Sequence, residues 1–428
     1  MEMDKPEPTW AELLGSKQWE GLLDPLNLSL RRLILRCGDL CQATYDAFNS
    51  DPRSKYCGSS RYGKRSFFEK VKFQPASDYE VAAFLYATSR VDVPQAFLLH
   101  SLSREAWDRE SNWIGYIAVT SDHVSKKVLG RREIYVAWRG TTRNYEWIDV
   151  ADAKPKSIKS LLNSQTQDHT QQQSHWYDLI LDRVHDNGSG DSSDEEEEDR
   201  TPKVMKGWFT IYTSNDPKSP FTKLSARAQF VTKMKELVEQ YKDEELSLTL
   251  TGHSLGACLA ILSAFDVVEN GLSIPVAAIV FGCPQVGNKA FDQRIKKFSN
   301  LRILHVKNAI DLIPHYPSRA LGYHYTGTEL VIDTRKSPSL KDSKNPSDWH
   351  NLQAMLHVVA GWNGADKEFE LKVKRTIALV NKSCDYLKEE LLVPPSWWVE
   401  KNKGMVLNQN EEWELTPPFE DDIPVPEF

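Results

Sequence analysis

The sequence predicts an α/β fold: a mostly parallel central sheet with helices on both faces, and extensions at the N- and C-terminal ends. Three observations lead there. Strand-like alternation and helical periodicity take turns along the second half of the chain. Apolar residues make up 40% and charged residues 26% of 428, which suits one large buried core and not a disordered chain. No apolar run approaches the ~18 residues of a membrane-spanning helix. The longest runs, 255–262 and 276–283, suit a buried helix start and a buried strand.

In chain order, Trp10, Leu13, Leu14, Trp19, Leu22 and Leu23, then Leu30, Leu33, Ile34, Cys37, Leu40 and Cys41, recur at helical spacing over 8–45. These helices are expected to pack on the core. A lipid-surface anchor is the sharper alternative, because Trp favours membrane interfaces. Over 133–138, Ile134, Val136 and Trp138 share one side of a strand that runs into Arg139-Gly140-Thr141-Thr142. From 163 to about 202 the composition turns to Gln, Ser, His and Asn, then to an acidic run. Such a stretch buries too little apolar surface to offset its ordering entropy, so a flexible insertion is expected.

Beyond the insertion, Ser225 is the expected N-cap of a helix carrying Phe230, Val231, Met234, Leu237, Val238 and Tyr241. Leu246, Leu248 and Leu250 alternate with Ser247, Thr249 and Thr251 in a strand that runs straight into Gly252. The Ala- and Leu-rich run 255–268 reads as a buried helix, and 276–282 and 302–306 as further strands. The expected organisation is a helical extension over 1–100, a main domain over 101–390 and a C-terminal extension over 391–428.

The formal charge is −7, and eight carboxylates fall within 186–199 with no Lys or Arg among them. Without them the rest of the chain carries +1, so the acidity is one local feature, expected to be a solvated loop. Nothing offers the basic face that nucleic acid requires. Glu2, Asp4, Glu7 and Glu12 stand where a secretory or organellar leader would carry an apolar or acid-poor segment, so a cytoplasmic location is expected. The six cysteines fit neither a disulfide scaffold nor a zinc pattern, and Cys37 and Cys41, four apart, read as packing residues.

The chemistry gathers around Gly252-His253-Ser254-Leu255-Gly256. A Gly-x-Ser-x-Gly run carries weight only between a strand and a helix, and here it has both. The chain must reverse sharply with the serine strained, and glycines two residues to either side remove the clashes. Such a serine needs a base, and the base an orienting acid, in the chain order Ser, acid, His. Asp311 and Asp333 both follow predicted strands. Asp311, in an apolar-flanked loop closed by Pro314, is preferred.

Among His305, His315, His324, His350 and His357, His350 stands at a loop-to-helix junction and is preferred as base. His305 reads as strand packing, and His315 is too close in sequence to Asp311. His357 should be satisfied structurally two turns deeper than His350, and His324 remains a weaker alternative. His253 is expected to face away from the site in a structural role. An oxyanion needs preorganised donors: the Leu255 amide follows from the turn, and Arg139-Gly140-Thr141 is the segment suited to give a second, from Thr141.

Gly252-His253-Ser254-Leu255-Gly256-Ala257 together with Trp138-Arg139-Gly140-Thr141-Thr142 resembles the class-3, fungal-type lipases, which have an α/β-hydrolase fold. Four further segments resemble the plant class II phospholipases A1. They are Trp19-Glu20-Gly21-Leu22-Leu23-Asp24-Pro25-Leu26, Gly38-Asp39-Leu40-Cys41-Gln42-Ala43-Thr44-Tyr45-Asp46, Ser54-Lys55-Tyr56-Cys57-Gly58, and Trp397-Trp398-Val399 with Asn402-Lys403-Gly404-Met405-Val406. The terminal Pro424-Val425-Pro426-Glu427-Phe428 does so too. The resemblance spans the chain except about 163–202.

It implies a cytosolic acylhydrolase that releases the sn-1 fatty acid of phosphatidylcholine and related glycerophospholipids at a membrane or micelle surface. It also implies that no metal or organic cofactor takes part. The roles it carries over are Ser254 as nucleophile, Asp311 as acid, His350 as base, and Thr141 and Leu255 as oxyanion donors. Met355 stands where the family usually has Tyr, a change in the wall of the acyl pocket. The family places a lid just after the oxyanion loop, here over 144–162 with Trp147 and Ile148 as its apolar surface. Galactolipid, monoacylglycerol and triacylglycerol remain alternative substrates, since the elbow is blind to the head group. A catalytically silent lipase-like scaffold is the non-enzymatic alternative.

Overall fold

A computed structural model of the chain describes residues 7–88, 102, 111–141, 153–162, 201–398 and 405–415. Seven strands form the central sheet: β1 (Tyr79–Thr88), β2 (Ser111–Thr120), β3 (Arg132–Trp138), β4 (Leu246–His253), β5 (Val276–Phe281), β6 (Leu301–Asn308) and β7 (Thr328–Ile332). They lie in the sheet in sequence order. β1, β2 and β3 pair antiparallel, and from β3 to β7 every pairing is parallel.

Alternation along the strands divides the core. Ile134, Val136, Trp138, Leu248 and Leu250 face one cluster, with helices α3 (Ala226–Gln240) and α4 (Leu255–Glu269) packed over them. Tyr135, Ala137, Ile279, Phe281, Leu304 and Val306 face the other, under α1 (Leu28–Ala47) and α6 (Leu352–Gly361). Between them in the chain come α2 (Lys206–Thr213) and α5 (Lys289–Ile295). Parallel strands covered on both faces are buried throughout, and β4, β5 and α4 are buried at every residue, the Ser and Thr of β4 included. Ser225 caps α3 by accepting from the Ala228 amide, as expected.

The N-terminal region departs from the sequence expectation in two ways. The helix expected over 8–45 is reduced to one turn at Trp10–Leu13 and then α1. Between them the chain turns through Gly15 at φ +88°, against which the Trp19 ring closes; a Cβ there would lie 2.6 Å from Trp19 Cζ2. Trp19 is 1% exposed and its indole donates to Leu13 O at 2.8 Å, so it is a core residue and not a lipid anchor. In addition, β1 lies inside the stretch expected to be a helical extension and forms the edge of the main sheet. Its run Tyr79-Glu80-Val81-Ala82-Ala83-Phe84-Leu85-Tyr86 is rich in strand-forming residues and pairs along β2. The described residues 7–88 therefore share the core of the sheet.

Asp333, the weaker candidate acid, caps a short turn after β7 and pairs with Arg335 at 2.7 Å. A second, four-stranded sheet joins Pro155–Ser157, Lys203–Met205, Gly287–Asn288 and Tyr323–His324, and a C-terminal hairpin joins Met405–Leu407 to Trp413–Leu415. The expected insertion lies outside the described residues except at its borders, 162 and 201–202. Among the described residues no helix is long and apolar enough to cross a membrane.

Candidate active site

Ser254 sits between β4 and α4 with φ 59° and ψ −127°, backbone angles that an L side chain tolerates only where the fold imposes them. The two flanking glycines explain how it is imposed. A Cβ on Gly252 would overlap the Gly256 carbonyl, and one on Gly256 would overlap the Trp138 carbonyl at the end of β3. The first turn of α4 thus lies hard against the end of β3. Ser254 is 2% exposed, and its Oγ has no hydrogen-bond partner among the described residues. A buried hydroxyl left so costs free energy that a polar partner in the reaction would recover.

His350 and Asp311 meet. Asp311 lies just past the end of β6, is 1% exposed, and places Oδ2 2.6 Å from His350 Nδ1. Its other oxygen accepts from the Ile313 amide at 3.0 Å, which fixes the carboxylate plane. His350 follows the turn Pro346–Trp349 and precedes α6, whose cap Asn351 accepts from Ala354 N at 2.9 Å. At the close of β6, Asn308 donates to the Trp349 carbonyl at 2.9 Å and to Thr334 Oγ1 at 2.9 Å. One strand end therefore positions both the acid and the residue before the base.

His305 and His357 are used in packing. His305 Nε2 accepts from the Cys283 amide at 2.8 Å while its Nδ1 meets the Tyr325 hydroxyl, and burial pushes its pKa down to about 3. His357 Nε2 lies 2.7 Å from Ser337 Oγ, and burial first, then Arg375, lowers it to about 4. His315 is exposed, and His324 lies 3.7 Å from Asp292.

His253 differs from expectation. Its ring lies against that of His350, centroids 4.4 Å apart, and its Nε2 is 2.8 Å from the His350 carbonyl oxygen. The residue before the serine thus supports the residue that carries the base. Only a residue held by the strained turn can reach there, so the strand periodicity of β4 gave no warning.

Thr141 is the last described residue after β3 and is half-buried. Arg139 prepares its amide, a role the sequence did not disclose. The buried guanidinium donates to Gly140 O at 2.8 Å and to Trp113 O at 3.0 Å, and lies 3.7 Å over the Phe48 ring. In a trans peptide the C=O and N–H point in opposite directions, so pinning Gly140 O also fixes the direction of the Thr141 N–H. Burial lowers the Arg139 pKa to about 10, which still leaves it cationic near neutrality. The expected lid residues Trp147 and Ile148 lie outside the described residues. Met355 is fully buried within α6.

Among the described residues, no group of three or more His, Cys, Asp or Glu is arranged to hold a metal ion. A cavity of about 280 Å³ opens between α1 and the C-terminal hairpin, and its lining includes none of Ser254, Asp311 or His350. Of its cations, Arg375 pairs with Asp39, Lys374 with Glu412 and Lys382 with Asp46.

A family model described as Lipase (class 3) matches residues 135–321. Phospholipase A1-IIdelta of Arabidopsis thaliana is 61% identical over 422 residues, covering 98% of this chain and 98% of that protein. Phospholipase A1-II 5 of Oryza sativa subsp. indica is 52% identical over 424 residues, covering 97% of this chain and 84% of that protein. Among solved structures, a nonglycosylated lipase of Yarrowia lipolytica is 18% identical, with a TM-score of 0.43 over 72% of this chain and 82% of that one.

Proposed function

The chain belongs to the phospholipase A1-II family, and from that premise we propose that it is a phospholipase A1, a serine acylhydrolase cleaving the sn-1 ester of phosphatidylcholine and related glycerophospholipids. The observation that carries the reading is a strained Ser254 at a strand-to-helix turn, in a chain whose His350 is held by Asp311 at 2.6 Å.

In this reading Ser254 Oγ attacks the ester carbonyl as His350 Nε2 takes its proton. Asp311 accepts the Nδ1–H, keeps the imidazole in the tautomer that leaves Nε2 basic, and stabilises the imidazolium. The Leu255 amide and Thr141 take the negative charge of the tetrahedral intermediate, in a site where buried donors act at low dielectric. His350 then protonates the leaving lysophospholipid oxygen, and water, deprotonated by the same imidazole, releases the fatty acid from Ser254. In the same reading Trp147 and Ile148 serve as the apolar face of a lid. All six cysteines are thiols, Cys258 and Cys283 being 4.0 Å apart, which supports a reducing compartment, the cytoplasm of a plant cell.

Two measurements test the reading. A fluorophosphonate probe should label the wild-type chain and leave Ser254→Ala unlabelled. On phosphatidylcholine with distinguishable acyl chains, the wild type should release the sn-1 chain first. Absence of labelling would leave a silent scaffold. Labelling with release only from galactolipid or neutral glycerides would keep the hydrolase and discard the phospholipid.

A further inference from the structure

His253 and Tyr45 form a connected group next to the site, and hydrogen-bond chemistry fixes the direction of the connection. The His350 carbonyl oxygen can only accept, so His253 Nε2, 2.8 Å away, donates. Burial holds His253 well below its ordinary pKa, so the ring is neutral and carries one proton, the one on Nε2. Its Nδ1 then has only a lone pair, and the partner 2.9 Å away, the Tyr45 hydroxyl, must donate to it. A Cβ on Gly140 would overlap both Tyr45 Oη and the His253 carbonyl, so Tyr45 is pressed against the oxyanion segment.

We propose that Tyr45 is a positioning residue: its hydroxyl ties Gly140, beside the oxyanion donor Thr141, through His253 to the main chain of His350. One phenol, brought in by the last turn of α1, thereby links the three parts that must keep register: oxyanion segment, serine turn and base. The order of donation is Tyr45 O–H to His253, then His253 N–H to the His350 carbonyl, with Gly140 packed against the phenol oxygen. No proton needs to move along it. Its consequence is geometric, and it complements the bond by which Asn308 holds the neighbouring Trp349 carbonyl. The inference rests on the hydrolase reading of Ser254 and His350.

The test compares two variants that each delete one buried phenol bonded to or from α1. Tyr45→Phe removes the link, whereas Tyr116→Phe removes a bond of similar quality, Tyr116 Oη to Leu40 O at 2.7 Å, outside the chain. Purified proteins are titrated with a fluorophosphonate, so that kcat is expressed per labelled serine, and assayed on phosphatidylcholine micelles. Tyr45→Phe is expected to lose about tenfold in kcat with KM within about twofold, and to label about tenfold more slowly. Tyr116→Phe should keep the wild-type kcat even where its melting temperature falls as far. Equal kcat in both variants, or a Tyr45→Phe loss confined to KM or to the fraction of folded protein, overturns the proposal. A wild-type chain that the probe leaves unlabelled overturns the hydrolase reading beneath it, an outcome distinct from a labelled wild type with unimpaired Tyr45→Phe.

Discussion

At Gly282 a Cβ atom would stand 2.8 Å from His350 Cε1, 2.9 Å from Nδ1 and 3.2 Å from Asp311 Oδ2. The residue is also at φ +51°, in the left-handed region that favours glycine. The space its missing side chain leaves is the seat of the imidazole. Gly282→Ala should therefore displace His350 without touching Ser254, and an error of about 1 Å in a reacting group costs about 10²-fold. A loss of that order in kcat, alongside slowed fluorophosphonate labelling, is expected. Full activity in the variant would mean that the base can be seated elsewhere. Legibility at this scale followed the range of the contact. Gly252 acts on Gly256 within the same turn and Gly256 on the end of β3, but their spacing around Ser254 announced both. Gly282, Arg139 and His253 act on residues that the fold brings near, and nothing beside them in the sequence marks them out. Asp311 and His350 stood between these cases: strand ends and a loop-to-helix junction identified them as preferred candidates, but only the end of β6 shows how one element holds both.

Helix α1 is the element that ties the C-terminal part of the chain to the sheet. Its Asp46 carboxylate lies 2.5 Å from Lys382 Nζ, both nearly fully buried, and its Asp39 accepts two bonds from Arg375. Trp398 adds an indole bond to Asp46 O at 3.2 Å and stacks over the Lys382 ammonium at 4.0 Å. Burial raises the Asp46 pKa, and Lys382 pulls it the other way, so the pair is near balance between desolvation and attraction. Removing one partner breaks that balance. Asp46→Ala leaves a buried ammonium uncompensated and should cost about 3–5 kcal/mol, whereas Asp46→Leu with Lys382→Met should cost clearly less. Urea unfolding followed by Trp fluorescence measures both, and an equal loss would show that the ion pair contributes more than its packing. The helical periodicity of 28–47 was readable, but its partners were not, because Asp46 and Lys382 lie 336 positions apart. The misread 8–27 has a local cause instead: a glycine at positive φ and a tryptophan folded back on it keep an apolar spacing that a helix would also show.

Across the whole molecule, buried neutral histidines set how stability answers to acid. His305 and His357 have pKa values lowered to about 3 and about 4, and burial holds His253 well below its ordinary range, desolvation being the largest cause in each. In the unfolded chain each returns to about 6.5. Between its folded and unfolded values such a group binds its proton only when the chain is unfolded, so stability rises with pH through that window. The stabilisation is fully present above about 6.5 and is lost progressively as the pH falls towards 4. For one histidine, going from pH 7 to pH 5 removes roughly 2 kcal/mol. His357 is the clean probe, since it lies on α6 against Ser337 and Phe369, away from Ser254. The free energy of unfolding in urea should drop between pH 7 and pH 5, and in His357→Gln that drop should be smaller by roughly 2 kcal/mol. Gln can keep a hydrogen bond to Ser337 but gains no proton on unfolding, so the difference isolates titration from packing. An unchanged pH dependence in His357→Gln would mean that this imidazole is already protonated, or already wet, in the folded chain.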